Sequence, residues 1–74
     1  MKLHEFLSLI TDEEARIELE IDNGDEPDYS YESFWLSDYR VNKTNREYSN
    51  YEVTGFRFMT EFSRSDITIE IKKL

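Results

Sequence analysis

The stretch that most restricts the fold is ARIELEIDNGDEPD, residues 15–28, where strict apolar and polar alternation runs into a turn crowded with carboxylates. Successive side chains of a strand leave on opposite faces. Ala15, Ile17, Leu19 and Ile21 therefore point one way and Arg16, Glu18, Glu20 and Asp22 the other. One face belongs to a core and the other is acidic. Asn23-Gly24 follows as a hairpin signal, because a type I′ turn needs positive φ at both central residues. Pro27 cannot donate to a ladder, so the turn is wider than two residues or the second strand begins late.

At 74 residues the chain has room for a single domain, 1–74, whose core only just offsets the entropy lost on ordering. Only 38% of residues are hydrophobic, but five Phe, five Tyr and one Trp bring large area per side chain. A charged fraction of 35% would suit a disordered chain, and the periodicity of several segments argues against that. With no cysteine there is neither a disulfide framework nor a thiolate metal site. The first residues are too short and too polar for a signal peptide, and no span approaches the ~20 apolar residues a bilayer requires. The expectation is a cytoplasmic protein away from membranes.

Leu3, Phe6, Leu7 and Ile10 recur at i, i+3, i+4 and i+7, which predicts a short helix over residues 2–10 with His4 and Glu5 outward. Such a helix is marginal alone and must dock. Thr11 to Glu14 has the form of a capping box, but the alternation that follows favours a turn into the first strand, residues 15–22. The second strand is expected over 29–41, carrying Tyr29, Tyr31, Phe34, Leu36, Tyr39 and Val41. Its large residues change parity between Tyr31 and Phe34, which predicts a bulge near Glu32 and Ser33. Residues 42–50 read as the longest connection, with one helical turn around 46–49. A third strand begins at Tyr51 and changes parity at Gly55, a second bulge. After a polar turn at 63–66, Ile67, Ile69 and Ile71 alternate in a last strand, with Lys72 and Lys73 protecting it should it lie at an edge.

The fold class expected is α+β: a short N-terminal helix packed on a four-stranded antiparallel sheet made of two hairpins. A small SH3-like or OB-like barrel, with the bulges as corners, is the alternative.

Nucleophilic catalysis is disfavoured because the only histidine, His4, sits on a terminal helix without a nucleophile context. A chain this small also has few apolar residues left to line a substrate pocket. Neither a catalytic residue nor a cofactor is expected. Residues 22–28 match a calcium loop poorly, since glycine and proline fall at the wrong positions, so no metal site is assigned.

Charge offers more. Residues 1–39 hold 12 acids against Lys2 and Arg16, net −10, and residues 40–74 hold five acids against seven bases, net +2. A field of that sign repels nucleic acid and membrane phosphates and attracts basic protein surfaces, or else serves solubility. Along a strand, i and i+2 are about 6.8 Å apart, close to twice the ~3.4 Å charge spacing of one DNA strand. Glu18, Glu20 and Asp22, extended by Asp25, Glu26 and Asp28, thus carry the charge pattern of a nucleic-acid mimic. Tyr29, Tyr31 and Trp35 are candidate anchors beside them, since Tyr and Trp join a large contact area to a polar edge. For Trp35, core and surface placements are equally compatible with the pattern.

The KLHEFLSLI helix, the RIELEI strand and the closing ITIEIKK strand resemble the layout of small acidic proteins encoded by phages and prophages of Gram-positive bacteria. Some of these are anti-CRISPR proteins that mimic DNA and occupy the basic groove of a nuclease. The resemblance implies a phage accessory protein acting in the host cytoplasm, and it assigns no individual residue a role. The leading expectation is a non-enzymatic protein that binds a basic protein surface through the acidic face and so blocks a nucleic-acid-processing enzyme such as a CRISPR nuclease. The alternative is a phage structural or accessory module, monomer or homodimer, that self-associates or docks through an aromatic surface.

Overall fold

The computed structural model describes residues 1–24, 29–61 and 64–73. The chain runs α1 (Leu3–Ser8), β1 (Arg16–Asp22), β2 (Tyr29–Trp35), α2 (Leu36–Val41), a 3₁₀ turn at Arg46–Tyr48, β3 (Glu52–Glu61) and β4 (Arg64–Lys72). The four strands form one open sheet in the order β2-β1-β4-β3.

Both expected hairpins are present, but they join through a parallel pair, so the sheet is mixed and not wholly antiparallel. The barrel alternative gives way to an open sheet with β2 and β3 at its edges. The reason lies in the inward residues. Ile17, Leu19 and Ile21 of β1 stand beside Ile67, Ile69 and Ile71 of β4 in exact parallel register, all but fully buried. Each such aliphatic side chain contributes about 1.5–3 kcal/mol when taken from water, so the two most uniformly aliphatic strands take the centre. Lys72 and Lys73 consequently end a central strand, and the Lys73 N–H donates to the Asp22 carbonyl at 3.1 Å.

The second strand stops at Trp35. Residues 36–41, expected to extend it, form α2, with Leu36 and Tyr39 buried three apart and Val41 exposed. No bulge interrupts β2: its register with β1 is continuous from Tyr29↔Asp22 to Trp35↔Arg16. The parity change has another cause, aromatic residues on both faces of one regular strand, with Tyr31 outward and Phe34 in the core. The bulge at Gly55 does occur, between Val53 and Gly55. Arg64, Ser65 and Asp66, expected in a turn, already belong to β4. The 3₁₀ turn falls where one helical turn was expected. Strands β1 and β2 end six residues apart, a connection wider than two residues, and Gly24 within it has φ +91°.

Leu3 and Leu7 of α1, Leu36 and Tyr39 of α2, Phe34 and the central aliphatics make one core on one side of the sheet. Arg40 of α2 ties the two helices together. Its guanidinium donates to the carbonyl of Ile10 and to that of Leu7, which also accepts the Ile10 N–H, and pairs with Glu13. At the other end of α1 the Lys2 N–H donates to Glu5 Oε1 at 2.9 Å. That bond holds the Glu5 carboxyl below its ordinary pKa. Among the described residues, no helix is long and apolar enough to cross a membrane.

Candidate functional site

Among the described residues, no helix lies on the opposite side of the sheet, where the outward strand positions are presented. Register sets their neighbours. Tyr29 stands beside Asp22, Tyr31 beside Glu20, Ser33 beside Glu18 and Trp35 beside Arg16. Across β4 the rows continue, with Glu20 facing Glu70 and Asp22 facing Lys72. Six of the nine residues singled out in the sequence, Glu18, Glu20, Asp22, Tyr29, Tyr31 and Trp35, are thereby gathered on one surface. Asp25, Glu26 and Asp28 lie outside the described residues.

The aromatic row is accessible. Tyr29 is 57% exposed and Tyr31 65%. Trp35 takes the surface, at 38% exposure. The guanidinium carbon of Arg16 lies 5.6 Å from the Trp35 ring centroid, a cation–π arrangement.

The carboxylates are not equivalent. Glu20 and Glu70 are lateral neighbours, a repulsive pairing on its own, and Arg57 reaches across from β3 to bind both, at 2.5 Å to Glu20 and 3.5 Å to Glu70. The Glu20 hydrogen bond raises the pKa of Arg57 above its already high ordinary value. Asp22 accepts the Gly24 N–H at 2.9 Å and closes the start of the hairpin connection. Glu18 is exposed at the centre of the row. The evenly spaced line of charges expected from β1 is therefore divided between an internally neutralised member, a turn-forming member and an outward-facing one.

Arg57 was not among the sequence candidates. It follows a glycine bulge, and only the register of β3 on β4 shows that it shares a face with Glu20, 37 residues earlier. Glu70 escaped notice for the same reason.

Two depressions shape the surface. One of about 200 Å³ is lined by Glu20, Asp22, Glu70, Tyr29 and Thr54. A second, of about 340 Å³, lies among Arg16, Glu18, Arg57, Asp66 and Thr68. The first has the size and sign to take a basic side chain. Among the described residues, no group of three or more His, Asp or Glu is arranged to hold a metal ion.

Comparison with protein families, with characterised proteins and with solved structures returns no match to this chain.

Proposed function

We propose that this protein is a non-enzymatic binding module that lays its open sheet face on a basic protein surface. The observation that carries the reading is the register that sets Tyr29, Tyr31 and Trp35 alongside Asp22, Glu20 and Arg16 on a face no helix covers. Exposed tyrosine and tryptophan supply contact area with little side-chain entropy to lose, and the surrounding carboxylates select a cationic partner. The face binds guanidinium groups of its own chain, Arg16 on Trp35 and Arg57 on Glu20, which supports the reading that it would accept an arginine or lysine from a partner.

The partner this reading favours is the nucleic-acid groove of a processing enzyme, which an acidic protein of net charge −8 would block as a DNA mimic. The resemblance in layout to phage-encoded inhibitors extends the proposal to a CRISPR nuclease in a host cytoplasm.

The test is retention of nucleic-acid-binding proteins on the immobilised chain, followed by elution with duplex DNA. The expected result is a bound protein that DNA displaces, that high salt weakens, and that Tyr31→Ala reduces about tenfold, the ~1.4 kcal/mol of a modest interface anchor. Retention that neither DNA, salt nor Tyr31→Ala alters would refute the proposal.

A further inference from the structure

The helix-bearing side contains a second exposed surface, chemically unlike the first. Phe56 and Phe58 of β3 face inward by register, opposite Ile69 and Ile67, yet each is 61% exposed because α1 does not extend over them. Phe6 of α1 meets Phe56 at a ring separation of 5.1 Å. With Leu9 and Ile10 these rings line an apolar groove of about 360 Å³.

We infer that this groove and the free edge of β3 form a self-association surface: two copies pair β3 to β3, antiparallel, about a two-fold axis perpendicular to the sheet. This goes beyond the proposed function and does not rest on it.

Four observations favour a second copy as the occupant. The first is the state of the edge. The start of β3 is already covered by residues 1–3, through the Lys2↔Glu52 bridge, the Val53 N–H on the Met1 carbonyl and the Leu3 N–H on the Tyr51 carbonyl. From Phe56 onward, no described strand pairs with the outer side of β3.

The second is the contrast with the other edge. Strand β2 turns Glu32 toward the helix side, beside Leu19, and an inward-pointing charge is a known guard against edge-to-edge pairing. The corresponding positions on β3 are phenylalanines. A two-fold pair puts both copies' Phe56 and Phe58 on the helix side together, whereas a slip of one residue would turn one copy's set outward.

The third is charge. Most of the acids of residues 1–39 lie on β1, β2 and the connection between them, with Asp12 alone of these acids lining the groove, while the half containing β3 and β4 is net +2. In the paired sheet the two copies of β1 are five strand spacings apart, ~24 Å, or roughly three Debye lengths at physiological salt. Joining at β2 would instead bring the acidic strands together.

The fourth is area. Residues 56–61 of an extended edge span ~20 Å, and two layers of sheet and helix present a face of about the same height, so that on the order of 800 Å² in total is covered. That falls below the ~1,200 Å² at which stable specific interfaces begin, so the dimer is a weak, concentration-dependent one.

Sedimentation equilibrium over the micromolar range, at low and high salt, tests this. The expected result is a monomer–dimer equilibrium that high salt leaves intact or strengthens, that Phe58→Glu weakens at least tenfold, and that the rim variant Leu9→Lys also weakens. Both side chains are mostly exposed, so circular dichroism and the melting temperature should remain native. Backbone amides of residues 56–61 should gain protection from exchange as concentration rises. A monomer at every concentration overturns the inference. So does a dimer that withstands Phe58→Glu in a natively folded protein, or one that Tyr31→Ala abolishes instead.

Discussion

At the scale of single residues, Arg40 of α2 joins three partners, Leu7, Ile10 and Glu13, through one guanidinium. It donates to the Ile10 carbonyl and, alongside the Ile10 N–H, to the Leu7 carbonyl, and those bonds carry a full charge. Arg40→Ala should cost about 2–3 kcal/mol in urea denaturation, a large fraction of what a 74-residue domain possesses. Arg40→Lys should recover only part, because one ammonium cannot span both carbonyls and Glu13. Glu5 acts at the opposite end of the helix, with pH as the readout. Its carboxyl titrates below the ordinary value because it accepts the Lys2 N–H. The support it gives is present above the unfolded-state pKa and is lost as pH falls through the lower folded-state value. An NMR titration should place Glu5 below the ordinary glutamate value, and Glu5→Gln should remove that acid-side dependence. Of these two residues only Glu5 is legible in sequence, as an acid in the first turn of a predicted helix. Arg40 reads as a polar residue of a strand until α2 brings it to α1, 30 residues away.

Elements were legible wherever a local period decides them. The alternation of residues 15–22 and 67–71 places the inward and outward side chains of those two stretches correctly, because burial of one face fixes parity. The same logic misjudged residues 36–41. Leu36 and Tyr39 are as compatible with one face of a single helical turn as with an irregular strand, and a six-residue helix leaves too little periodicity to separate the two. Its placement depends on tertiary contacts: the Leu36 N–H donates to the Ala15 carbonyl, and the Tyr39 hydroxyl meets Ser49 Oγ at 2.7 Å. Arg46 lies over the Tyr39 ring at 4.2 Å and donates to its carbonyl. Removing the hydroxyl with Tyr39→Phe should cost about 1 kcal/mol, measured by thermal unfolding, since the ring stays packed while a partly buried hydrogen bond is lost. Trimming the central strand with Ile69→Val should cost roughly 0.5–1.5 kcal/mol through the small cavity it leaves. Both depend on packing the sequence pattern specified, the first through a neighbour it did not name.

At the scale of the whole molecule, the parallel union of β1 and β4 could not be read locally, because nothing within either hairpin states which strand of the other it will join. In physical terms the information is distributed: the two strands with uninterrupted aliphatic inner faces seek each other, and those with serine, glutamate or aromatic inner positions are left outside. That choice has an electrostatic consequence. It places Glu20 beside Glu70, and the sheet depends on Arg57 to neutralise them. Arg57→Met should therefore lower the melting temperature at neutral pH, where both carboxylates are charged and face each other without a cation. Added salt should restore part of the loss by screening. The same substitution leaves the open face more negative by one unit. If that face binds a basic partner, Arg57→Met should tighten binding while weakening the fold, an opposition of sign that a purely solubilising surface would not produce. Parallel thermal melts and partner titrations at two salt concentrations distinguish the two roles. A variant that destabilises the sheet and leaves binding unchanged would assign the acids on this face to solubility.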